Sequence, residues 1–306
     1  MNVLIVGLGS IAKKHINALR SLPENFTIYA LRSSKLAERY EDVINVFNLE
    51  SENYDFAIIS NPTHLHSKYI KLLANKAIPL FIEKPAVHNL DNVAEVLALV
   101  EKKKIKTYIA CNLRFHPCII FLKDEIRIEN LEINEINVYC GSYLPDWRPG
   151  RNYKEIYSAN PELGGGVHLD VYHELDYVTW LFGFPKSYNS VKRSVSSLKI
   201  KSIDYANYIL QYDNFTASII LNYYRKKTKR EIEINFKDTT WNINLIDGKI
   251  ITDDNFILFE AKDFDLLDTY KLQLDYFINC IKNNIPPMNS LNNSIQTLQI
   301  CLNNEK

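Results

Sequence analysis

Residues 2–12 read NVLIVGLGSIA, and they decide the fold of the first part of the chain. An apolar strand pattern runs directly into Gly7, Gly9 and Ala12, which have the spacing G-x-G-x-x-A, and a helical pattern follows. In this arrangement the first glycine permits a tight turn, the second lets the backbone approach a pyrophosphate, and the small third residue lets the helix pack closely. The helix then points free N–H groups at the phosphates. The stretch predicts a dinucleotide-binding turn, with an ordinary glycine turn as the alternative.

The rhythm of the following residues supports this interpretation. Short apolar runs (FTIYAL, DFAIIS, PLFI, KTYIAC) alternate with helical patterns such as HSKYIKLLANK and DNVAEVLALVEKK. Such alternation is typical of βαβ units around a buried parallel sheet. We therefore predict an α/β class protein whose residues 1–116 form a doubly wound Rossmann domain.

After about residue 130 the pattern changes to strands joined by short polar turns such as Tyr212-Asp213-Asn214. Hairpins of this kind predict an open, mainly antiparallel sheet. Helical patterns are expected at about 117–128, 166–183, 266–283 and 290–303, which makes residues 117–306 an α+β domain. Because these helices cover one face of the sheet, we expect a second subunit to cover the other, in a homodimer or homotetramer.

Composition excludes several classes of partner. The 36 Lys plus Arg residues balance 36 Asp plus Glu residues, so no global field favours nucleic acid or an anionic membrane, and a small molecule is the expected partner. The five cysteines are scattered without a CxxC pair, which argues against disulfides or a structural zinc. Without a signal-like start or an apolar stretch of ~20 residues, we expect a cytoplasmic protein.

The end of the second predicted strand bears on the choice of cofactor. An acidic residue normally binds the adenosine ribose there. Here the stretch reads YALRSSK, with Arg32, Ser33 and Ser34 and no acid between Asn25 and Lys35. A guanidinium and two hydroxyls suit a 2′-phosphate, so we predict NADP in preference to NAD. The alternative is that Arg32 is a solvated loop cation.

Two further stretches follow strands at the edge where open parallel sheets bind ligands. SNPTHLH begins at the end of the run DFAIIS, and EKPAV follows directly after PLFI. Pro85 restricts Lys84 to extended geometry, and a lysine beside a cofactor can polarise a substrate oxygen. A surface ion pair between Glu83 and Lys84 is the alternative. The candidate cofactor-binding residues are Gly7, Gly9, Ser10, Ile11, Arg32, Ser33, Asn61, Pro62, His64, His66, Glu83 and Lys84.

The stretch GGGVHLDVYHELD, residues 164–176, is the second candidate site. At ~100° per residue, an apolar stripe through Val171 and Leu175 forms the core seam of the expected helix. Beside it lies a polar stripe that contains Asp170, His173 and Glu174. Polar groups on one flank of a buried helix, preceded by glycines that permit close approach, predict a site.

These motifs together resemble the Gfo/Idh/MocA dehydrogenases, through GLGSIAKKH, SNPTHLH, EKP, LRFHP, LGGGVHLDVYHELDYVTWLFG and LDTYKLQLDYFINCIKNNIPP. The resemblance implies an N-terminal Rossmann domain, a second α/β domain with an open antiparallel sheet, and Lys84, Asp170 and His173 as the catalytic group. His173 follows Asp170 by three positions where the family has four, and Glu174 occupies the fourth. His173 keeps the usual spacing to Asp176, so we assign the role to His173 and leave a share for Glu174 open.

The resemblance also implies the reaction, which is hydride transfer between nicotinamide and a carbinol carbon of a sugar, sugar acid or sugar nucleotide. His173 would exchange the hydroxyl proton, Lys84 would polarise the oxygen and Asp170 would orient the imidazole. THLH matches a loop beside the nicotinamide, so we predict no metal at His64 and His66.

A turn-rich stretch, YCGSYLPDWRPGRNYKEIYSANPELGGG, leads into the expected helix of the second candidate site. It resembles the corresponding stretch of a subgroup of this family that is associated with bacterial surface sugars. Its aromatic rings suit sugar faces and its arginines suit anions. The candidate substrate-binding residues are Arg114, Trp147, Arg148, Arg151, Tyr153 and Glu174. For Arg114 the alternative is a salt bridge that joins the domains. Two alternatives stay open: a relative that recycles its nicotinamide as a glycosidase or epimerase, and a non-catalytic dinucleotide-binding sensor.

Overall fold

The computed structural model describes residues 1–36, 38–50, 52–129 and 131–303. They form two compact units. The first contains residues 1–112 and 265–296, and the second contains residues 113–264 and those from 297 onward. Residues 265–296 thus belong to the first unit although they follow most of the second along the chain.

The strands are numbered along the chain. They are β1 (Asn2–Val6), β2 (Thr27–Leu31), β3 (Ile44–Val46), β4 (Phe56–Ile59), β5 (Leu80–Ile82), β6 (Thr107–Ile109), β7 (Ile133–Tyr143), β8 (Ser187–Arg193), β9 (Tyr205–Gln211), β10 (Thr216–Asn222), β11 (Tyr224–Phe236), β12 (Thr240–Asn244), β13 (Lys249–Thr252) and β14 (Ile257–Glu260). The α-helices are α1 (Ser10–Arg20), α2 (His66–Asn75), α3 (Val93–Lys102), α4 (Pro117–Glu129), α5 (Val167–Asp170), α6 (His173–Phe182), α7 (Asp268–Lys282) and α8 (Leu291–Leu302). None of the described helices is long and apolar enough to span a bilayer.

The first unit is built on a parallel sheet with the strand order β3-β2-β1-β4-β5-β6. Val3, Leu4 and Ile5 of the central strand are fully buried, because a parallel sheet is covered on both faces. Helix α7 packs against α1, and Phe277 contributes an aromatic ring that contacts Phe56 and Phe81. The predicted doubly wound parallel sheet is confirmed.

The second unit contains a sheet with the order β14-β13-β12-β11-β7-β10-β9-β8. The β7–β10 pair is parallel and the other pairs are antiparallel, so the predicted open, mainly antiparallel sheet is also confirmed. Alternate residues of the central strands are buried, as expected for a sheet with one covered face. A groove of about 480 Å³ runs over β7 and β10–β13 and is lined by side chains that include Tyr139, Lys229 and Asn242.

The prediction of one helix over residues 166–183 is wrong in one respect. Helix α5 ends at Asp170, and α6 begins at His173. Val171 between them has φ −105° and ψ 43°, which leaves the helical region and changes the direction of the chain. Asp170 and His173 therefore lie on either side of a break, and not on one face of a continuous helix.

His116, which precedes α4, is held in its neutral form by its contacts. Its Nε2 donates to the carbonyl oxygen of Leu245 at 3.0 Å, and its Nδ1 accepts from the backbone N–H of Cys118 at 3.2 Å. The residue is 1% exposed, and burial lowers the pKa of the imidazole to about 4. Protonation of Nδ1 would remove the acceptor for Cys118 and charge a buried ring.

We expect this imidazole to make the second unit sensitive to acid. The unfolded ring titrates at about pH 6.5 and the folded ring at pH about 4, so between these values only the unfolded state binds the proton. As the pH is lowered through this window, the free energy of unfolding should fall by ~1.4 kcal/mol per pH unit. His116→Gln keeps a donor and an acceptor but cannot titrate. Urea unfolding from pH 4 to 7 should show a shallower pH dependence in this variant, and an unchanged slope would contradict the assignment.

Candidate functional site

The turn from β1 into α1 has the geometry that a bound pyrophosphate requires. Gly7 has φ +89°, and a Cβ at this position would lie 2.5 Å from the Cα of Asn61, so only glycine fits between the two loops. Apart from Gly9 and its two chain neighbours, no described residue has an atom within 4 Å of the corresponding position on Gly9, which directly precedes α1. The backbone at Gly9 and the exposed Ser10 are therefore open to a ligand at the start of the helix.

Asn61, after β4, faces the same turn. Ser60 beside it donates its hydroxyl to the carbonyl oxygen of Gly7 at 2.9 Å and ties the two loops together. Both polar atoms of the Asn61 side chain are buried and have no hydrogen-bond partner among the residues that the structure describes. Because an unpaired buried amide is costly, these atoms fit a role in holding a ligand. A dinucleotide that lies across this edge of the sheet fits both observations.

His66 and His64 serve different purposes at this edge. His66 is 1% exposed, and its ring nitrogens contact the carbonyl oxygens of Asn61 at 2.9 Å and Ala86 at 3.2 Å. Burial lowers the pKa of His66, and the single N–H of a neutral ring can donate to only one of these two carbonyl oxygens. His64 is partly exposed beside His88, with their ring centroids 6.4 Å apart. Pro62 is exposed at the start of the same turn.

Glu83 and Lys84 follow β5, the next strand along this edge. Glu83 Oε1 contacts Nε2 of His15 at 2.6 Å, and Glu83 Oε2 accepts the backbone N–H of Lys84 at 3.2 Å. The Lys84–Pro85 peptide bond is cis, and Lys84 is partly exposed. Glu83 is thus paired with a histidine.

Arg32 and Ser33 follow β2, on the other side of β1. The backbone N–H of Arg32 donates to the carbonyl oxygen of Val46, and its side chain is partly exposed. The predicted cofactor-binding residues therefore occupy the carboxyl ends of four neighbouring strands in the order β2, β1, β4 and β5, which is where open α/β sheets bind ligands.

In the second unit, Asp170 is held by a tyrosine that the sequence analysis did not identify. Tyr223 is fully buried and donates its hydroxyl to Asp170 Oδ2 at 2.5 Å. Burial, together with the charge of Asp170, raises the pKa of Tyr223 well above its usual value, so it remains a donor. The rings of Trp147 and Tyr223 pack edge-on with their centroids 5.2 Å apart, and Nε1 of Trp147 donates to Ser142 Oγ at 2.9 Å.

Glu174, one residue after His173, lies in the interior. It is 0% exposed, and its Oε1 accepts from Arg230 Nε at 2.7 Å. Burial alone would lower the pKa of Arg230, but the carboxylate of Glu174, together with Cys140 and Tyr177, raises that pKa above its ordinary value. His173 itself is partly exposed as the first residue of α6. The carboxylate of Glu174 therefore supports α6 from within, while His173 reaches the surface.

The glycines before α5 allow a close approach between chain segments. A Cβ on Gly165 would lie 2.2 Å from the carbonyl oxygen of Tyr157 and 2.7 Å from that of Asn160. The turn-rich loop is therefore pressed against the start of α5. Arg148 and Arg151 are exposed on this loop, and Tyr153 donates its hydroxyl to the carbonyl oxygen of Leu198 at 3.2 Å.

Arg114 does not join the other predicted substrate-binding residues. It is 4% exposed, and it donates from Nε and Nη2 to the two carboxylate oxygens of Asp176, each at 2.8 Å. The guanidinium forms a buried two-point ion pair within the second unit. We therefore assign Arg114 to this ion pair and not to substrate binding. Glu174 is likewise paired with a cation, Arg230, and we therefore assign it to the support of α6 and not to substrate binding.

The fold and this site define a dinucleotide-binding protein with a second α/β unit. Residues 1–110 match the model of the Gfo/Idh/MocA oxidoreductase family described as its NAD-binding Rossmann fold, and residues 126–244 match the family's C-terminal alpha/beta domain. The chain belongs to this family.

Three known proteins illustrate the similarity. Uncharacterized oxidoreductase C115.03 of Schizosaccharomyces pombe is 26% identical over 213 residues, which are 65% of this chain and 56% of that protein. The WlbA dehydrogenase of Bordetella pertussis, solved with NADH and UDP-GlcNAcA, has a TM-score of 0.82 at 17% identity and covers 98% of this chain and 93% of its own. Levoglucosan dehydrogenase, solved with NADH and levoglucosan, has a TM-score of 0.85 at 16% identity, and the match covers 98% of this chain and 95% of that one.

Proposed function

We propose that the protein is an NADP-dependent oxidoreductase that acts on a CH–OH group of a sugar, sugar acid or sugar nucleotide. The observation that carries the proposal is one edge of the first sheet, where the open backbone of Gly9 follows β1, the unpaired amide of Asn61 follows β4 and Lys84 follows β5, in the strand order β1-β4-β5. Family membership supports the same chemistry.

Each candidate catalytic residue has a chemical task in this proposal. The bound nicotinamide supplies an acceptor or donor of hydride. Lys84 binds and polarises the substrate oxygen, and His173 takes the hydroxyl proton during oxidation and returns it during reduction. Asp170, fixed by the hydroxyl of Tyr223, orients the imidazole or a neighbouring hydroxyl. In the oxidation direction the carbon therefore loses a hydride and the oxygen loses a proton, which leaves a carbonyl.

The loop before α5 supplies the proposed substrate contacts. Trp147 is partly exposed and can stack on a sugar face, while Arg148 and Arg151 are exposed cations that suit a carboxylate or phosphate. The two solved relatives hold UDP-GlcNAcA and levoglucosan, and both ligands belong in a search for the substrate of this chain.

The test is a panel of free, acidic and nucleotide-linked sugars assayed for a change in NADPH or NADP absorbance, with the Lys84→Met variant as the control. Substrate-dependent turnover that the variant lacks supports the proposal. Dinucleotide binding without turnover on any member of the panel would favour a sensor, and product formed without net NADPH change would favour a relative that recycles its nicotinamide.

We further propose that the adenosine 2′-phosphate is bound by Arg32 and Ser33. Arg32→Ala should raise the Kd for NADPH by about 10-fold or more, because a charge-assisted hydrogen bond is lost, and leave the Kd for NADH nearly unchanged. Fluorescence titration measures both constants. Arg39→Ala, at an exposed cation of the same loop, is the control. Tighter binding of NADH than of NADPH by the unaltered protein would contradict the assignment.

We also propose that a second copy of the chain packs on the open face of the second sheet, which carries the groove over β7 and β10–β13. The groove on this face has lysines (Lys229, Lys249) and glutamates (Glu231, Glu233) in its lining. A two-fold symmetric interface is self-complementary, so it requires charges of both signs on one surface. Light scattering after gel filtration should therefore give a dimer or a tetramer.

A further inference from the structure

His15 is a buried polar residue in an apolar setting. It is the sixth residue of α1, it is 0% exposed, and its ring packs edge-on against Phe81 at 5.1 Å and tilted against Tyr270 at 5.6 Å. Packing alone would be satisfied by an apolar side chain, and burying an imidazole has a desolvation cost. The polar residue therefore requires an explanation from its contacts.

The contact of His15 is with Glu83, at the carboxyl end of β5. His15 Nε2 lies 2.6 Å from Glu83 Oε1, while Glu83 Oε2 accepts the backbone N–H of Lys84 at 3.2 Å. A carboxylate held through both oxygens has one orientation, and here it bridges α1 and the peptide of Lys84. The ring of Tyr270 packs against that of His15, and the ammonium of Lys14 lies over the Tyr270 ring at 5.1 Å from its centroid.

We propose that His15 is a positioning residue, which orients Glu83 and thereby the backbone from which Lys84 extends. The same helix begins at Ser10 beside the open backbone of Gly9. His15 thus connects the helix that receives the dinucleotide phosphates with the lysine that polarises the substrate oxygen. This role rests on the proposed function, whereas the linkage between His15 and Lys84 does not.

The linkage is tested in the protein without dinucleotide, by the rate at which trinitrobenzenesulfonate labels Lys84, read by peptide mass spectrometry. We expect His15→Leu, which fills the space but removes the hydrogen bond, to change this rate several-fold relative to that of the exposed Lys35 in the same sample. His15→Gln can still donate to Glu83 and should restore most of the original rate.

Kinetics then test the role in the reaction. In His15→Leu, kcat should fall by ~10- to 100-fold while the Kd for NADPH changes little, because a misplaced catalytic group affects the chemical step more than cofactor binding. Lys14→Met is the matched control, since Lys14 neighbours His15 and contacts Tyr270 but not Glu83. It should leave both kcat and the labelling of Lys84 unchanged.

The outcomes are separable. Unchanged labelling of Lys84 in a folded His15→Leu protein overturns the inference, whatever the activity. If His15→Leu changes the labelling of Lys84 and His15→Gln restores it, the inference is supported. If the unaltered protein turns over no sugar, the proposed function fails while the linkage between His15 and Lys84 stands. Should His15→Leu not fold, Glu83→Gln, which retains the shape of the side chain, takes its place in the labelling experiment, and unchanged labelling of Lys84 in that variant overturns the inference.

Discussion

Replacing His173 by alanine is expected to lower turnover by about 10²- to 10⁴-fold and to leave the Kd for the dinucleotide unchanged. The imidazole is the proposed acceptor of the hydroxyl proton, so its loss removes general acid–base catalysis but no cofactor contact. Turnover is measured with the best substrate of the sugar panel, and the Kd is measured by fluorescence titration.

The surroundings of His173 explain why this variant isolates the chemical step. The residue is partly exposed at the start of α6, and its two neighbouring carboxylates are occupied, Asp170 by Tyr223 and Glu174 by Arg230. Removing the imidazole therefore leaves both pairs in place, and we expect little change in the midpoint of thermal unfolding.

His168 on α5 provides the control. It is 6% exposed, and burial lowers the pKa of its imidazole to about 3, so it cannot take up a proton near neutral pH. His168→Gln should retain turnover to within a few-fold, provided that the protein folds. Near-full turnover in His173→Ala would contradict the assignment and would direct attention to the Asp170–Tyr223 pair as the proton acceptor.

The parts of the molecule that could be predicted from sequence are those determined by neighbouring residues. The β1–α1 turn depends on Gly7 and Gly9 within one short stretch, and the parallel sheet follows from the alternation of apolar runs with helical patterns. The edge that carries Asn61 and Lys84 could be predicted for the same reason, since the carboxyl ends of parallel strands meet at one edge.

The contacts that could not be predicted join distant residues. Tyr223 lies 53 positions from Asp170, and Arg230 lies 56 positions from Glu174. Both partners come from β10–β11, a region whose alternating pattern indicates a strand but not which side chain faces which helix. The break at Val171 was missed because the apolar stripe of α6 continues through it in sequence, although the backbone does not.

Arg114→Met is expected to lower the free energy of unfolding of the second unit by about 3–5 kcal/mol, because it leaves the carboxylate of Asp176 buried without its cation. Asp176 is 1% exposed, and both of its oxygens accept from the guanidinium at 2.8 Å, so the substitution removes both of these hydrogen bonds at once. Urea denaturation of the single variant measures the loss.

The double variant Arg114→Met/Asp176→Leu separates the ion pair from the packing around it. Removing both charges abolishes the desolvation cost along with the attraction, so the double variant should recover much of the stability lost in the single one. Lys123→Met is the control, because Lys123, like Arg114, lies over the ring of Trp180 but is less deeply buried. If Arg114 were instead an anion ligand of the substrate, Arg114→Met would raise KM without a loss of stability, and the double variant would show the same KM. A stability loss that the second substitution reverses therefore assigns Arg114 to the support of α6, the helix on which His173 stands.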